Sequence, residues 1–222
     1  MKVMAVGDIH GEFGLLNTFI DKEQPDVIFQ CGDNAYYWSG DKDSNRGKIK
    51  PQNTKVYLVP GNHENWDITE SVVGRHGKSP VEVEPNIFIC FVGSTIEIKG
   101  KTILFVGGAD SIDKANRIWK KSWWDQEILK YEDFKYIEEN VKKADIVISH
   151  TCPEYFGHTN FAFTDKINDP SRQILNMVYD LFHPTLWCYG HWHSYREGKY
   201  ENTNWIGLNM ITDQDYFRYL VI

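Results

Sequence analysis

Five short apolar runs in this chain stop at the same kind of place, a loop that opens on Asp, Asn or His. The run at 2–6 leads into Gly7-Asp8-Ile9-His10, and the run at 26–30 into Cys31-Gly32-Asp33. The run at 55–59 leads into Pro60-Gly61-Asn62-His63-Glu64, that at 144–149 into His150, and that at 185–189 into Gly190-His191-Trp192-His193. Apolar runs of this length, bounded by turn residues, read as strands. Between the first two, residues 12–22 carry Phe13, Leu16, Phe19 and Ile20 at helical spacing, and Pro25 closes the segment. A β-α-β start requires a sheet whose first strands are parallel. In open α/β sheets a ligand site lies beyond the carboxyl ends of such strands. The five loops are therefore expected to converge.

The rest of the chain completes the pattern. Residues 86–92, 95–99 and 102–106 read as strands, with Lys99-Gly100-Lys101 as a hairpin turn between the last two. Residues 132–143 form a polar helix with Phe134, Ile137 and Val141 on one face, and Asp169-Pro170 caps and starts a helix over 171–182. Residues 200–210 and 216–221 read as closing antiparallel strands. This predicts an α/β fold of two mixed β-sheets packed face to face with helices outside. No repeat, low-complexity tract or Pro/Gly-rich linker divides the 222 residues, so 1–222 is read as a single domain.

Several classes are disfavoured. No run of about 18 apolar residues is present to span a membrane, and the opening stretch turns acidic too soon for a secretory signal. The expected location is the cytoplasm. A net charge of −7 repels duplex nucleic acid, and there is no basic arm. It would repel a phosphoester too, unless cations sit where the ester docks. Cys31, Cys90, Cys152 and Cys188 form no C-x-x-C pair and are expected to be reduced core thiols.

Taken singly, each polar loop has an ordinary reading: D-x-H as a helix cap or polar pair, Gly-Asp as a turn, Asn-His-Glu as a capped loop. Together they place oxygen and imidazole donors at the end of every strand of an α/β core. D-x-H and H-x-H also alternate at the strand period, so both members of each pair are expected on one side. Imidazole mixed with carboxylate suits Mn, Fe, Zn or Ni better than Ca or Mg.

The ordered set D-x-H, G-D, G-N-H-E, H, G-H-x-H, from Asp8 to His193, resembles the calcineurin-like metallophosphoesterases, in particular their small bacterial and phage-type members. The resemblance implies a four-layer αββα sandwich and two divalent transition-metal ions, with manganese the first expectation and Fe, Zn or Ni the others. By it, Asp8, His10 and His193 would hold one ion, Asn62, His150 and His191 the other, and Asp33 would bridge them. His63 would stand near the leaving group. Two adjacent cations can stabilise the entering and departing oxygens of an in-line displacement, with a hydroxide between them as nucleophile. The implied function is hydrolysis of a small phosphomonoester or phosphodiester. A nucleotide phosphodiesterase is the alternative within enzymes. A non-catalytic scaffold of the same fold is the alternative outside them, disfavoured because His63 and all seven ligand positions are intact.

The chain also departs from its relatives. Protein phosphatases of this superfamily carry G-D-x-x-D-R-G and an Arg before G-N-H-E, whereas here Tyr36 and Tyr37 occupy the first pattern and Pro60 precedes Gly61. The stretch from Gly107 to Ser111, followed by Arg117, Trp123-Trp124 and Glu127, resembles an insertion in some members. Arg117 is either a substitute phosphate contact or a packing residue. Trp38, Trp66 and Trp192 flank the donor motifs, as an apolar rim for an aryl or nucleoside group or as core.

Overall fold

The computed structural model describes residues 1–37, 47–157 and 169–222. In chain order the elements are β1 (Val3–Val6), α1 (Phe13–Glu23), β2 (Val27–Gln30), β3 (Lys55–Leu58), α2 (Trp66–Val73), β4 (Val81–Glu84), β5 (Ile87–Ile89), β6 (Thr95–Ile98) and β7 (Lys101–Val106). They continue with α3 (Tyr131–Asn140), β8 (Ile146–Ser149), α4 (Pro170–Phe182), β9 (Leu186–Tyr189), β10 (Arg196–Tyr200), β11 (Thr203–Gly207) and β12 (Phe217–Leu220). Among the described residues the strands form two six-stranded sheets, in the orders β12-β1-β2-β3-β5-β4 and β10-β11-β9-β8-β7-β6. Each has four parallel strands at its centre and an antiparallel strand on each edge.

Strand alternation explains why the sheets stack. Val3 and Ala5 of β1, Val27 and Phe29 of β2, and Tyr57 of β3 enter one cluster with Ile103 and Phe105 of β7, Ile146 and Ile148 of β8, and Cys188 of β9. Their intervening neighbours face outward. Met4, Val6, Ile28, Val56 and Leu58 pack on Phe13, Leu16, Phe19 and Ile20 of α1 and Val73 of α2. Leu104, Val106, Val147, Trp187 and Tyr189 pack on Phe134 and Ile137 of α3 and Ile174, Leu175 and Val178 of α4. Both faces of both sheets are apolar and covered, which is the four-layer αββα sandwich. Each fully buried Leu, Ile or Phe here contributes roughly 1.5–3 kcal/mol. The four cysteines are free and buried, as expected of core thiols. No helix among the described residues is long and apolar enough to cross a membrane.

Local signals account for most boundaries. Asp169 accepts hydrogen bonds from Ser171 N–H and Arg172 N–H at the start of α4, with Pro170 as its first residue. Ile98 pairs with Lys101, so Lys99 and Gly100 alone make the turn, both at positive φ (48° and 74°) as a type I′ hairpin requires. Three expectations need correction. The expected antiparallel strand over 200–210 is β11, which runs parallel to β9 and forms a hairpin with β10: Tyr200 pairs with Thr203 and the chain reverses at Glu201, whose φ is 50°. Residues 66–73 form a helix absent from the sequence reading, capped by the Asn65 side chain accepting from Ile68 N–H. Residues 81–84 form an edge strand that was also missed.

Candidate metal centre

The five loops do converge, and β1, β2, β3, β8 and β9 are the strands that deliver them. The ligating atoms of Asp8, His10, Asp33 and His193 lie within 4.8 Å of one another. His193 Nε2 stands 2.9 Å from Asp8 Oδ2, and His10 Nε2 is 3.9 Å from the same oxygen and 3.7 Å from Asp33 Oδ2. The two imidazole nitrogens of His10 and His193 face each other at 3.1 Å.

A second group adjoins the first. Asn62 Oδ1 lies 2.8 Å from His150 Nε2 and 3.0 Å from His191 Nδ1. His150 Nε2 is 3.2 Å from Asp33 Oδ1. Asp33 therefore turns one oxygen to each group. His150 Nδ1 donates to the Cys31 carbonyl at 2.9 Å, which turns Nε2 toward the cluster.

The donor set fits cations. Asp8 and Asp33 are fully buried, and their ion pairs among the described residues are all to imidazoles. Two buried carboxylates packed among four imidazoles without Lys or Arg pairing are an expensive core and a suitable cation cage. The electrostatics follow from that crowding. Burial pushes the Asp33 carboxyl up, but His150, His63 and His10 outweigh it and hold it well below the usual range. Burial lowers His150, yet Asp33 and Asp8 raise it to about 9. Burial and the neighbouring His150 hold His191 well below an ordinary imidazole.

The backbone is strained here. His10, Asp33, His191 and His193 all have left-handed φ, at 44°, 52°, 68° and 45°. Such residues cost of order 1–3 kcal/mol each and persist where the surroundings over-determine them. These angles also correct the reason given for pairing within D-x-H and H-x-H. The residues lie beyond the strands, so no strand alternation aligns them; His191 turns to Asn62 while His193 turns to Asp8. Gly32 (φ 102°) is required: a Cβ there would enter the His150 ring.

His63 takes a different direction from Asn62. Its backbone N–H donates to Asp33 Oδ1 at 2.7 Å, and its ring is part-exposed in a cleft of about 270 Å³. Asp33, Asn62, Asp113, Arg117, Trp192 and His193 also line that cleft. Arg117 Nη2 lies 2.5 Å from His63 Nε2 and 2.8 Å from Asp113 Oδ1. Burial, then Asp33 opposing and Arg117 assisting, leaves the His63 ring below its ordinary value. Arg117 is thus a cleft residue rather than a remote one. Trp192 lines the cleft but is buried, stacked by Arg172 at 5.3 Å. Trp66 is core and donates to the Gly61 carbonyl, which removes it from the rim. Trp38 lies outside the described residues.

Three supporting residues were missed as site residues. Glu64 is buried and accepts from Asn34 N–H and Ala35 N–H at 2.7 and 3.1 Å, tying the loop after β3 to the loop after β2. Burial and then Asp33 push its carboxyl up to about 8. Ser111 Oγ accepts from Asn62 Nδ2 at 3.0 Å, and Ser111 N–H donates to Glu127 Oε1 at 3.0 Å. Ser111 and Glu127 lie in the stretch singled out around Arg117, but nothing in their spacing points at Asn62.

A family model described as calcineurin-like phosphoesterase matches residues 1–195. A curated relative, the DNA polymerase II small subunit of Thermoplasma acidophilum, is 22% identical over 168 residues, covering 76% of this chain and 30% of the relative. The chain thus spans less than a third of that relative's length. Similar solved structures include GAP50, the anchor in the inner membrane complex of Plasmodium, at 13% identity and TM-score 0.48, covering 93% of this chain and 70% of that one. A putative 5′-nucleotidase from Staphylococcus aureus has 13% identity and TM-score 0.48, covering 95% and 48% of the two chains. An archaeal phosphodiesterase has 12% identity and TM-score 0.45, covering 100% of both.

Proposed function

This chain belongs to the calcineurin-like phosphoesterase family, and from that premise we propose that it hydrolyses a small phosphoester at a centre of two divalent transition-metal ions. The observation that carries the reading is Asp33, buried, with one carboxylate oxygen toward His10 and the other toward His150. Asp8, His10 and His193 would hold one ion, Asn62, His150 and His191 the other, and Asp33 both. When bound, the ions would neutralise phosphate charge and acidify a water to serve as nucleophile, and manganese is the first candidate.

The chain's own residues do the rest. Among the described residues Arg117 is the Lys or Arg of the cleft lining, and its guanidinium is suited to two phosphate oxygens. In the substrate-free geometry it donates to His63 Nε2. A docked phosphate competes for that guanidinium, and Nε2 is then free to carry a proton. As the P–O bond to the leaving group breaks and the water oxygen bonds to phosphorus, His63 passes that proton to the departing oxygen. General acid catalysis of this kind is typically worth about 10²–10⁴ in rate.

One observation favours a diester as the second reading. The donors open onto another hollow of about 370 Å³ lined by Ile9, Glu12, Met210, Ile211 and Thr212, and it shares His63 and His193 with the first. Room on two sides of the centre suits a phosphorus bearing two substituents. The test is a panel of phosphomonoesters and phosphodiesters with Mn²⁺, Ni²⁺, Zn²⁺ or Mg²⁺ added to metal-free protein. Turnover that requires an added transition metal is expected. No turnover of any ester with any metal would favour a non-catalytic scaffold.

A further inference from the structure

Asn62 is the one donor in the proposed second group whose identity as a ligand depends on which way round it sits. The oxygen and nitrogen of a carboxamide are nearly isosteric, yet only the oxygen has lone pairs for a cation. In this structure Oδ1 faces His150 and His191 while Nδ2 donates to Ser111 Oγ. A serine hydroxyl cannot enforce that choice alone, because it donates as readily as it accepts. His150 and His191 hold the oxygen side of the carboxamide, and what directs the nitrogen side lies one step further out.

Glu127 is that step. It is fully buried, its Oε1 accepts the Ser111 N–H at 3.0 Å, and its Oε2 has no hydrogen-bond partner among the described residues. Burial pushes its carboxyl up to about 7, against the Ser111 hydroxyl, Arg117 and the Ser111 N–H, which pull it down. The segment is itself clamped: Arg75 donates to the carbonyls of Gln126 and Ile128, on either side of Glu127, at 2.8 and 3.2 Å. The same guanidinium binds buried Asp133 at 2.7 and 2.6 Å. A carboxylate accepts only, and Glu127 already holds the Ser111 N–H, so an O–H turned to the same carboxylate leaves the Ser111 oxygen to accept from Asn62.

We propose that Ser111 and Glu127 are positioning residues, a polarised relay that holds Asn62 with its oxygen toward the second metal position. The proposal rests on Asn62 being a metal ligand, as argued above. Replacing Glu127 by glutamine reverses the relay: the new amide N–H₂ can donate to the Ser111 oxygen, the hydroxyl proton can turn to Asn62 Oδ1, and the carboxamide nitrogen then meets the metal position. Replacing Ser111 by alanine removes the relay and leaves the Asn62 amide N–H₂ without its acceptor on that side.

Two measurements on the full chain at pH 8.5, where Glu127 is charged, test this. In metal-free protein the Asn62 side-chain amide signal, assigned by its loss in N62A, should show hydrogen-exchange protection that S111A and E127Q both abolish and S111T restores. In calorimetric titration with Mn²⁺, S111A and E127Q should bind one of two ions about 10–100-fold more weakly and the other as in wild type. Near-ultraviolet circular dichroism identifies any variant that fails to fold, and the remaining variant then decides. Unchanged amide protection, or two wild-type affinities in both folded variants, or equal weakening of both ions, overturns the relay. Wild-type protein that binds fewer than two ions would instead overturn the metal reading, and the amide signal alone then judges the relay.

Discussion

Asp33→Asn is the substitution from which the geometry demands most. Asp33 Oδ1 accepts the His63 N–H at 2.7 Å, so a carboxamide settles with its oxygen there. Its N–H₂ then replaces Oδ2, the atom 3.7 Å from His10 Nε2, and presents protons where a lone pair is needed. The group Asp8, His10, Asp33 and His193 loses one of its two carboxylates. Since Asp33 is only 1% exposed, water does little to replace the charge. Breaking a buried charge interaction by removing one partner costs roughly 3–5 kcal/mol. At 1.4 kcal/mol per decade this is roughly a 10²- to 4 × 10³-fold loss of affinity. The ion on the Asp8–His10–His193 side should weaken by that factor in a calorimetric Mn²⁺ titration. The ion on the Asn62 side should weaken less, and turnover should fall below that of Asn62→Ala or His10→Ala. Near-normal turnover with two tightly held ions in Asp33→Asn would refute the bridging role and the argument from carboxamide geometry.

His63→Ala should keep both metals, because its Nε2 is taken by Arg117 in the cleft and stands 4.0 Å from Asp33 Oδ2. It should lose about 10²–10⁴ in turnover on esters with poor leaving groups and less on p-nitrophenyl phosphate, whose leaving group needs little protonation. Equal losses on both substrates together with loss of metal would assign the ring to binding or structure. The Arg75–His76–Asp133 cluster carries a stability prediction. Burial raises the Asp133 carboxyl, but hydrogen bonds from His76 and Arg75 outweigh it and bring it from 3.8 to about 2. A depressed carboxylate stabilises the fold above its unfolded value and loses that contribution as pH falls from 3.8 toward 2. The amount is about 2 kcal/mol. The stability gap between wild type and Asp133→Asn in guanidinium titrations should therefore narrow by about that much between pH 5 and the acid limit. A gap that does not change with pH would contradict it.

The features visible in the sequence are those with a local cause. Short apolar runs ended by Gly-Asp, Gly-Asn or Gly-His are visible because a parallel sheet buries both strand faces and the loop must turn at once. Asp169-Pro170 and Lys99-Gly100 are visible because caps and two-residue turns admit few residue types. Helix α2 was passed over although Asn65 caps it and Trp66, Thr69 and Val73 are its buried residues, because its eight residues follow directly on the donor loop. Strands β10 and β4 were missed because they are edges: their side chains are polar or half-exposed, and the hairpin at Glu201 turns without glycine. In the site, the donors were legible as residue types while their arrangement was not. The left-handed angles at His10, Asp33, His191 and His193 have no signature in one sequence. The contacts of Asn62 with Ser111, and of Arg75 with the carbonyls around Glu127, join residues about fifty apart that only the fold brings together.

The number of metal ions the chain holds decides whether the centre is dinuclear. Elemental analysis of protein loaded with Mn²⁺ and freed of unbound metal should return two ions per chain. A value well under one, in protein whose circular dichroism shows it folded, would contradict the dinuclear centre.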